Sequence, residues 1–426
     1  MKTAKVVLKS LILKKTMLSE KIKNFKKILL EYKWFLVFFI VFLTAQIYQS
    51  FGFSWDSLVY LLNGKWFCGE EIYFEFLRPP FPALVNCLSG AGNLSKIFST
   101  IFASFVYLLG TILIFKNNNC KKEDQFLFAG FVFLFPTVLF FSKFGSDLLA
   151  MAFLIIAISA KNPLQKGLAF GLSTLSRYNF LIYILILIPR LKVKELPKFL
   201  GIFFLTWSPW LIFNYSKTGN PFFSIQESLT LNVLQKEIIA IPNLFQILII
   251  LFFFATLIAN KNIKQNIKQK INLAGFLALI QFIISGIKEA RFLNLLVPAQ
   301  AINISKIENK KIRNVFAILI PIMLLSVILI FQFVPAEPNI PENEFIYNCE
   351  IASDRWVEFY PENIIALPLP EKNQYNTFLE NGTSIVIYNY ENYYKTGFEE
   401  IEKENYIIIK SEKCKNPPEK FVLKIS

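Results

Sequence analysis

Histidine is absent from this sequence of 426 residues, and Asp, Glu, Lys and Arg together make up only 18% of it. Without histidine, a Ser-His-Asp triad is excluded and a zinc site of the usual kind is disfavoured, so a general base has to be a carboxylate, Lys or Tyr. Cysteine is also scarce, and the five cysteines form no Cys-x-x-Cys motif. Cys349 and Cys414 bracket an acidic tail, and they can form a disulfide if that tail lies outside the cytoplasm.

Apolar residues, in contrast, are abundant: they make up 54% of the chain, which has 47 phenylalanines and a mean hydropathy of +0.46. Many of them stand in blocks of about 20 residues, the length that crosses the hydrocarbon core of a bilayer. This composition excludes a soluble enzyme and a disordered chain. The blocks are residues 34–50, 96–115, 126–142, 147–160, 167–189, 197–213, 241–259, 271–303 and 314–334.

The net charge of +15 is unevenly distributed. The tail after residue 335 carries nine basic and sixteen acidic residues, so the positive charge lies in the preceding part. There the lysines and arginines stand between apolar blocks, which indicates membrane topology and not nucleic-acid binding. With these basic connections in the cytoplasm, blocks 167–189 and 271–303 must each enter and leave on the same side. We therefore predict a short helical hairpin in each block.

These features predict an all-α polytopic membrane protein with about eleven crossings and a small C-terminal extracytoplasmic domain that is α/β or β-rich. Residues 1–33 contain ten lysines and are expected to form a basic amphipathic segment on the cytoplasmic surface. Residues 34–335 form the predicted membrane domain, with a long outer loop at 51–95, and residues 336–426 form the C-terminal domain. The expected location is the cell membrane, with the N-terminus in the cytoplasm.

Two aspartates stand close to predicted membrane spans on the outer side. Ionisable groups at membrane depth are costly, so such residues are candidates for function. Asp56 follows the first span, where it either caps a helix that begins at Ser57 or acts as a general base. Asp147 follows Gly145-Ser146 at the start of a span, where a helix cap is the alternative to a role in the site.

Basic residues on the same predicted face are candidate anion ligands. Arg78 precedes two prolines that fix the backbone and restrict the direction of its guanidinium, although it is alternatively an interfacial residue at a loop end. Arg177 lies in the first hairpin and needs an anion, either a phosphate or a carboxylate such as Asp56 or Asp147. Lys288-Glu289-Ala290-Arg291 places two cations three residues apart, on one face if the segment is helical, which favours a phosphate site over a solvated loop tip.

Together these motifs resemble the GT-C superfamily of integral membrane glycosyltransferases, which includes protein-O-mannosyltransferases and other enzymes that use dolichyl-phosphate mannose. The resemblance covers about residues 34–334. Its features are, in chain order, Asp56, Arg78-Pro79-Pro80, Gly145-Ser146-Asp147, Gly171-Leu172-Ser173, Arg177-Tyr178, Gly219-Asn220-Pro221, Lys288-Glu289-Ala290-Arg291-Phe292 and Pro298.

The resemblance implies transfer of a hexose, with mannose favoured, from a polyprenyl-phosphate donor in the bilayer to an acceptor of unknown class (protein, glycan or lipid), with inversion. Asp56 would be the catalytic base. The implied donor-phosphate ligands are Arg78, Arg177, Lys288 and Arg291, and the implied supporting residues are Asp147, Tyr178, Asn179 and Glu289.

The family commonly has an Asp-Glu pair in the first outer loop, whereas Asp56 is followed by Ser57, which disfavours a DxD-type metal site. The residues imply no cofactor, and a divalent cation stays an open alternative. The alternative function is a transporter or flippase for a lipid-linked or anionic solute. Transporters often contain paired internal repeats, and we find none in the sequence.

Overall fold

The described part of the protein leaves out several segments of the chain. The computed structural model describes residues 31–51, 55–69, 73–90, 92–141, 146–230, 241–260, 263–285, 289–332, 350–356, 359, 366–403, 405–413 and 421–423. The predicted ligand Lys288, the cysteines Cys349 and Cys414, and nearly all of the predicted cytoplasmic segment 1–33 lie outside these residues.

Helices form almost all of the described chain before residue 333. Five helical stretches are long and apolar enough to cross a membrane: Lys33–Ser50, Leu94–Asn117, Lys122–Phe140, Val193–Thr218 and Lys310–Gln332. Four shorter apolar stretches accompany them: Ser146–Ser159, Tyr178–Arg190, Leu244–Ile258 and Lys270–Ile284. The number of eleven crossings stays a prediction.

The elements carry the following labels in chain order. The helices are α1 Lys33–Ser50, α2 Trp55–Phe67, α3 Pro80–Leu88, α4 Asn93–Asn117, α5 Gln125–Leu134, α6 Pro136–Phe141, α7 Ser146–Ser159, α8 Pro163–Ser176, α9 Ile184–Leu187, α10 Leu196–Thr218, α11 Phe223–Leu229, α12 Leu244–Ile258, α13 Ile263–Ile267, α14 Lys270–Ile284, α15 Leu296–Ser305, α16 Lys310–Gln332 and α17 Tyr375–Glu380. The strands are β1 Tyr73–Glu75, β2 Glu350–Ser353, β3 Ala366–Pro368, β4 Thr383–Ile387, β5 Glu399–Glu402, β6 Ile407–Lys410 and β7 Phe421–Leu423.

Helix α16 shows why these helices need a lipid environment. Its inward residues Phe316, Ile320, Met323, Val327 and Ile330 are buried, while a second apolar stripe at helical spacing is exposed. In water such a stripe would be unfavourable, whereas hydrocarbon accepts it and the helix satisfies its own backbone hydrogen bonds. The exposed stripe consists of Val315, Ile318, Ile322, Leu325 and Leu329.

The helices stop at the two places where the sequence predicts hairpin tips. Helix α8 ends at Ser176, Arg177 is extended, and a 3₁₀ helix follows over Tyr178–Tyr183. In the second block, α14 ends at Ile284 and a 3₁₀ helix covers Ala290–Leu293 before α15. Each break leaves an arginine on irregular backbone that is packed within the protein, which is the setting in which non-helical backbone is tolerated at membrane depth.

The described tail contains the small C-terminal sheet region that the sequence predicts. Its strand order is β3-β2-β4-β6-β5, in which β2 is parallel to β3 and β4 while β6 is antiparallel to β4 and β5. Consecutive residues of a strand point to opposite faces, and both faces of this sheet are covered with apolar side chains. One face contacts the outer-loop helix α2, and the other contacts α17.

Close packing of α8 against α10 depends on glycine. A Cβ atom at Gly167 would collide with the carbonyl oxygen of Phe199 and the side chain of Ile202, and one at Gly171 would lie 2.9 Å from Cβ of Thr206. The two helices can therefore approach along this small-residue stripe, as helices often do in membranes.

We expect Gly167→Ala to destabilise the protein by about 1–3 kcal/mol, because the added methyl group overpacks the α8–α10 contact. The matched control is Gly201→Ala on α10, where a Cβ meets nothing within 4 Å. That change should be neutral or slightly stabilising, since Ala is the better helix former. Thermal unfolding in detergent measures both, and equal midpoints for the two variants would contradict the packing.

Candidate active site

Four separate segments of the chain bring one aspartate and three arginines together. Asp56 lies in the first turn of α2. Arg78 Nη1 donates a hydrogen bond to Asp56 Oδ1 at 2.7 Å, and Arg291 Nη1 donates to Asp56 Oδ2 at 2.6 Å. Arg177 Nη2 lies 3.7 Å from Asp56 Oδ2. Asp56 is thus the shared counter-ion of all three guanidinium groups, and it does not cap a helix that begins at Ser57, because α2 already includes it.

The surroundings of Asp56, outside the membrane-spanning helices, hold it firmly in its charged form. Burial by itself raises the pKa of this carboxyl, but the positive charges of Arg78, Arg177 and Arg291 outweigh burial and hold the pKa well below its usual range. A carboxylate stabilised in this way is a weak base. Its basicity rises only when something else takes over the guanidinium contacts.

Asp147 is the second carboxylate of the cluster. Arg177 Nη2 donates to Asp147 Oδ2 at 2.6 Å, and Arg291 Nη1 lies 3.6 Å from the same oxygen. Asp147 is in the first turn of α7, and its side chain is only 9% exposed. The carboxylate pairing that the sequence left open for Arg177 is therefore present, and any phosphate ligand has to compete with it.

Two glutamates complete the charge balance. Arg78 Nε donates to Glu75 Oε1 at 3.0 Å, and Glu289 forms an ion pair with Arg291. Among the described residues of the cluster, three guanidinium groups therefore face four carboxylates. This negative balance among the described residues disfavours an anionic ligand unless it displaces a carboxylate or a further cation takes part.

The Glu75–Arg78 pair is anchored through the backbone. Asn63, on α2, donates from Nδ2 to the Glu75 carbonyl oxygen at 3.0 Å and accepts from the Glu75 amide at 2.9 Å. Asn63 is 1% exposed and lies two turns after Asp56 on the same helix. Asp56, Asn63, Glu75 and Arg78 thus form a closed ring of contacts.

Tyr178 and Asn179 hold the helix break at Arg177, the first predicted hairpin tip, against its neighbours. Trp210 Nε1 on α10 donates to the hydroxyl of Tyr178 at 2.8 Å, and that hydroxyl donates to the Arg78 carbonyl oxygen at 3.4 Å. Gln281 on α14 donates to the Asn179 carbonyl oxygen and accepts from the hydroxyl of Tyr183 at 3.0 Å. These contacts place the Arg177 backbone relative to both Arg78 and the second hairpin.

A small pocket lies beside Asp147 and Arg291. It lies between α7, the two hairpin tips and the end of α14. Its walls combine amide side chains with aromatic and aliphatic groups. The lining residues are Asp147, Met151, Asn179, Phe180, Tyr183, Gln281, Arg291, Phe292, Asn294 and Leu295.

Comparison with known proteins reveals similarity in structure alone. No family model and no curated protein matches the sequence. Among solved structures, the apo form of ArnT from Cupriavidus metallidurans matches with a TM-score of 0.56 and 11% sequence identity, over 88% of this chain and 96% of the ArnT chain. The chain has an ArnT-like fold. At such low identity the similarity concerns the fold and does not by itself assign a substrate.

The ArnT-like fold assembles most of the residues that the sequence singled out. Asp56, Arg78, Asp147, Arg177, Glu289 and Arg291 are in one cluster, and Tyr178 and Asn179 adjoin it. In the segment around Glu289 and Arg291, Glu289 is extended and a 3₁₀ helix begins at Ala290. The expectation that Lys288 and Arg291 share one helical face stays a prediction. The second cation of that segment, Lys288, lies outside the described residues.

A disulfide that sequence reasoning missed joins Cys68, just after α2, to Cys87 in α3. The signal was available, since both cysteines lie in the predicted outer loop 51–95. The sequence also did not predict the site contacts of four further residues: Asn63, Glu75, Trp210 and Gln281.

Among the described residues, no group of three or more His, Cys, Asp or Glu side chains is arranged to hold a metal ion.

We expect the stability that Asp56 confers to depend on pH only under strongly acidic conditions. Because its pKa is lower in the folded protein than in the unfolded chain, the contribution is complete above about pH 4 and is lost as the pH falls below that value. Asp56→Asn should therefore be less stable than wild type by about 1–3 kcal/mol. Thermal unfolding should give the same difference at pH 8 and pH 5. A difference that shrinks already between these values would contradict the lowered pKa.

Proposed function

We propose that this protein is a membrane glycosyltransferase that moves a hexose from a polyprenyl-phosphate donor to an acceptor hydroxyl, with inversion. The observation that carries the proposal is the convergence of Arg78, Arg177 and Arg291 on Asp56. The ArnT-like fold and the resemblance of the sequence motifs to GT-C glycosyltransferases, which use polyprenyl-phosphate sugars, support it. The family resemblance favours mannose.

The arginines are suited to hold the donor phosphate. A guanidinium group presents a planar fork of donors that matches phosphate oxygens. Arg177 Nε is buried and has no hydrogen-bond partner among the described residues, so this fork retains donor capacity. Lys288, next to Glu289 in the chain, is the further cation that would offset the excess of carboxylates.

The small pocket beside Arg291 is the proposed point of entry for the donor sugar, and it has to widen to hold a hexose. Amide side chains pair with hydroxyl groups, and aromatic rings pack on the apolar faces of a sugar. Its two charged lining residues, Asp147 and Arg291, are engaged in ion pairs. The site is therefore better suited to an uncharged hexose than to a sugar with a free charge.

The proposed reaction needs one base and one site for negative charge. Asp56 takes the proton of the acceptor hydroxyl as its oxygen attacks the anomeric carbon. The bond from that carbon to the phosphate oxygen breaks, and the lipid phosphate leaves with the electron pair. The arginines stabilise the charge that develops on the phosphate, which is a preorganised electrostatic contribution.

Donor binding is also the event that frees the base. The phosphate competes with Asp56 for Arg177 and Arg291, and each guanidinium contact that Asp56 loses raises its basicity. In this scheme Asp56 is a counter-ion of the arginines while no donor is bound. It acts as the base once the donor phosphate has bound.

The membrane orientation follows from the same proposal. The site faces the extracytoplasmic side, with the N-terminus in the cytoplasm. The Cys68–Cys87 disulfide supports this orientation, because disulfides persist in oxidising compartments, whereas Cys120, in a predicted cytoplasmic connection, is a free thiol.

Transfer of radiolabelled sugar from polyprenyl-phosphate hexoses to pooled acceptors, with purified protein in detergent, tests the function. We expect Asp56→Asn to reduce transfer by at least about 100-fold, the usual contribution of a general base. Arg291→Lys should reduce it by about tenfold or more because the bidentate fork is lost. The control is Arg190→Lys, whose guanidinium donates to the Lys268 carbonyl oxygen away from the cluster. Solute flux without transfer would instead indicate a transporter.

Competition between donor and carboxylate predicts opposite effects of one substitution on binding and on turnover. Asp56→Asn should bind the intact donor more tightly, by about fivefold, because one negative charge beside the phosphate is removed. The control is Asp124→Asn, which breaks an ion pair of 2.6 Å with Arg313 elsewhere. Equilibrium binding of a fluorescent polyprenyl-phosphate sugar measures both. Weaker donor binding by Asp56→Asn would contradict the competition.

A further inference from the structure

The helix that carries Asp56, α2, contacts both the arginine cluster and the C-terminal sheet. On α2, Asp56, Tyr60 and Asn63 lie on one side, at helical spacing of three to four residues. Asp56 pairs with Arg78, and Asn63 donates a hydrogen bond to the backbone of Glu75. An adjoining side carries Leu58, Val59 and Leu62, all at most 2% exposed.

The apolar side of α2 is part of the hydrophobic core of the C-terminal sheet. Leu58, Val59 and Leu62 share one buried cluster with residues from four strands and the adjoining loop. Those partners are Ile351, Trp356, Phe359, Ala366, Val386, Tyr388 and Ile408. Since α2 covers this face as α17 covers the other, the sheet and the outer loop form one packed layer structure.

A second, independent contact connects the tail to the other half of the site. Strand β7 pairs in parallel with β1, with Phe421 opposite Tyr73 and Leu423 opposite Glu75. Strand β1 ends at Glu75, whose side chain binds Arg78. The tail therefore contacts both chain segments that supply cluster residues from outside the membrane helices.

We propose that the C-terminal sheet is a positioning element for catalysis, which fixes Asp56 and Arg78 against Arg177 and Arg291. This inference rests on the proposed glycosyltransferase function. Arg177 and Arg291 stand at breaks between membrane helices and are also paired with Asp147 and Glu289, and none of their described contacts is with the sheet. Loosening the sheet should therefore misplace the base while the main phosphate ligands stay in position.

Two adjacent isoleucines of β6 provide the test. Ile408 belongs to the core that includes α2, whereas Ile409 belongs to the core on the opposite face with α17. Both are 0% exposed, so truncation to Ala removes the same buried group from the same strand. A role of the sheet in folding alone would affect both variants equally.

We expect Ile408→Ala to lower kcat for sugar transfer by about tenfold or more, because small misplacement of a catalytic group is costly. Its donor KM should change much less than kcat, because Arg177 and Arg291 remain to hold the donor phosphate. Ile409→Ala should keep kcat within about twofold despite a similar loss of thermal stability. Leu62→Ala, from the helix side, should reproduce Ile408→Ala, and Ile408→Val should restore most of kcat.

The possible outcomes test the positioning role of the sheet separately from the proposed glycosyltransferase function. Transfer by wild type with equal kcat for Ile408→Ala and Ile409→Ala would overturn the positioning role and leave the glycosyltransferase proposal intact. A rise in donor KM in Ile408→Ala at unchanged kcat would also overturn it. Absence of transfer by wild type with every donor would count against the function itself.

Discussion

The shared salt bridge at Asp56 is the interaction on which the architecture around it depends. Three guanidinium groups at partly buried positions repel one another and lose hydration, so their placement requires carboxylates at hydrogen-bonding distance. Asp56 contacts two of them directly, and Asp147 contacts the third. None of these arginines is near another in the sequence. The pairing therefore ties the segment of Asp56 and Arg78 and both helix breaks to one point.

The hairpin tips combine a structural and a chemical requirement. An arginine cannot extend from the middle of a lipid-facing helix without a high cost, but it can stand on irregular backbone that protein surrounds. The extended residue Arg177 and the 3₁₀ turn around Arg291 meet this condition. Contacts of Tyr178 with Trp210, and of Asn179 with Gln281, then replace part of the hydrogen bonding that a continuous helix would have supplied.

Much of this site could be predicted from residue type and position, because charge near a membrane is expensive and therefore informative. That reasoning identified Asp56, Arg177 and Arg291, and the basic connections indicated where the helices had to turn. It could not identify Asn63 or the docking of the tail on α2. Asn63 is one polar residue in a short mixed helix, and its importance comes from a contact with Glu75 that only the folded chain creates. Likewise, Leu58 and Leu62 indicate a buried side without indicating that its partner lies about 300 residues later.

The position of Asp56, the proposed base, outside the membrane helices accounts for the packing of a sheet against α2. Lipid and neighbouring helices confine the arginines of the hairpins, but a short amphipathic helix such as α2 has neither constraint at its outer side. With its polar side committed to the cluster, α2 would expose Leu58, Val59 and Leu62 unless another element covered them. The sheet supplies that cover, and the Cys68–Cys87 disulfide fastens the end of the same helix to α3. In the proposed mechanism Asp56 alternates between binding arginine and accepting a proton, and this requires a fixed backbone, because displacement of a catalytic group by a small distance is costly.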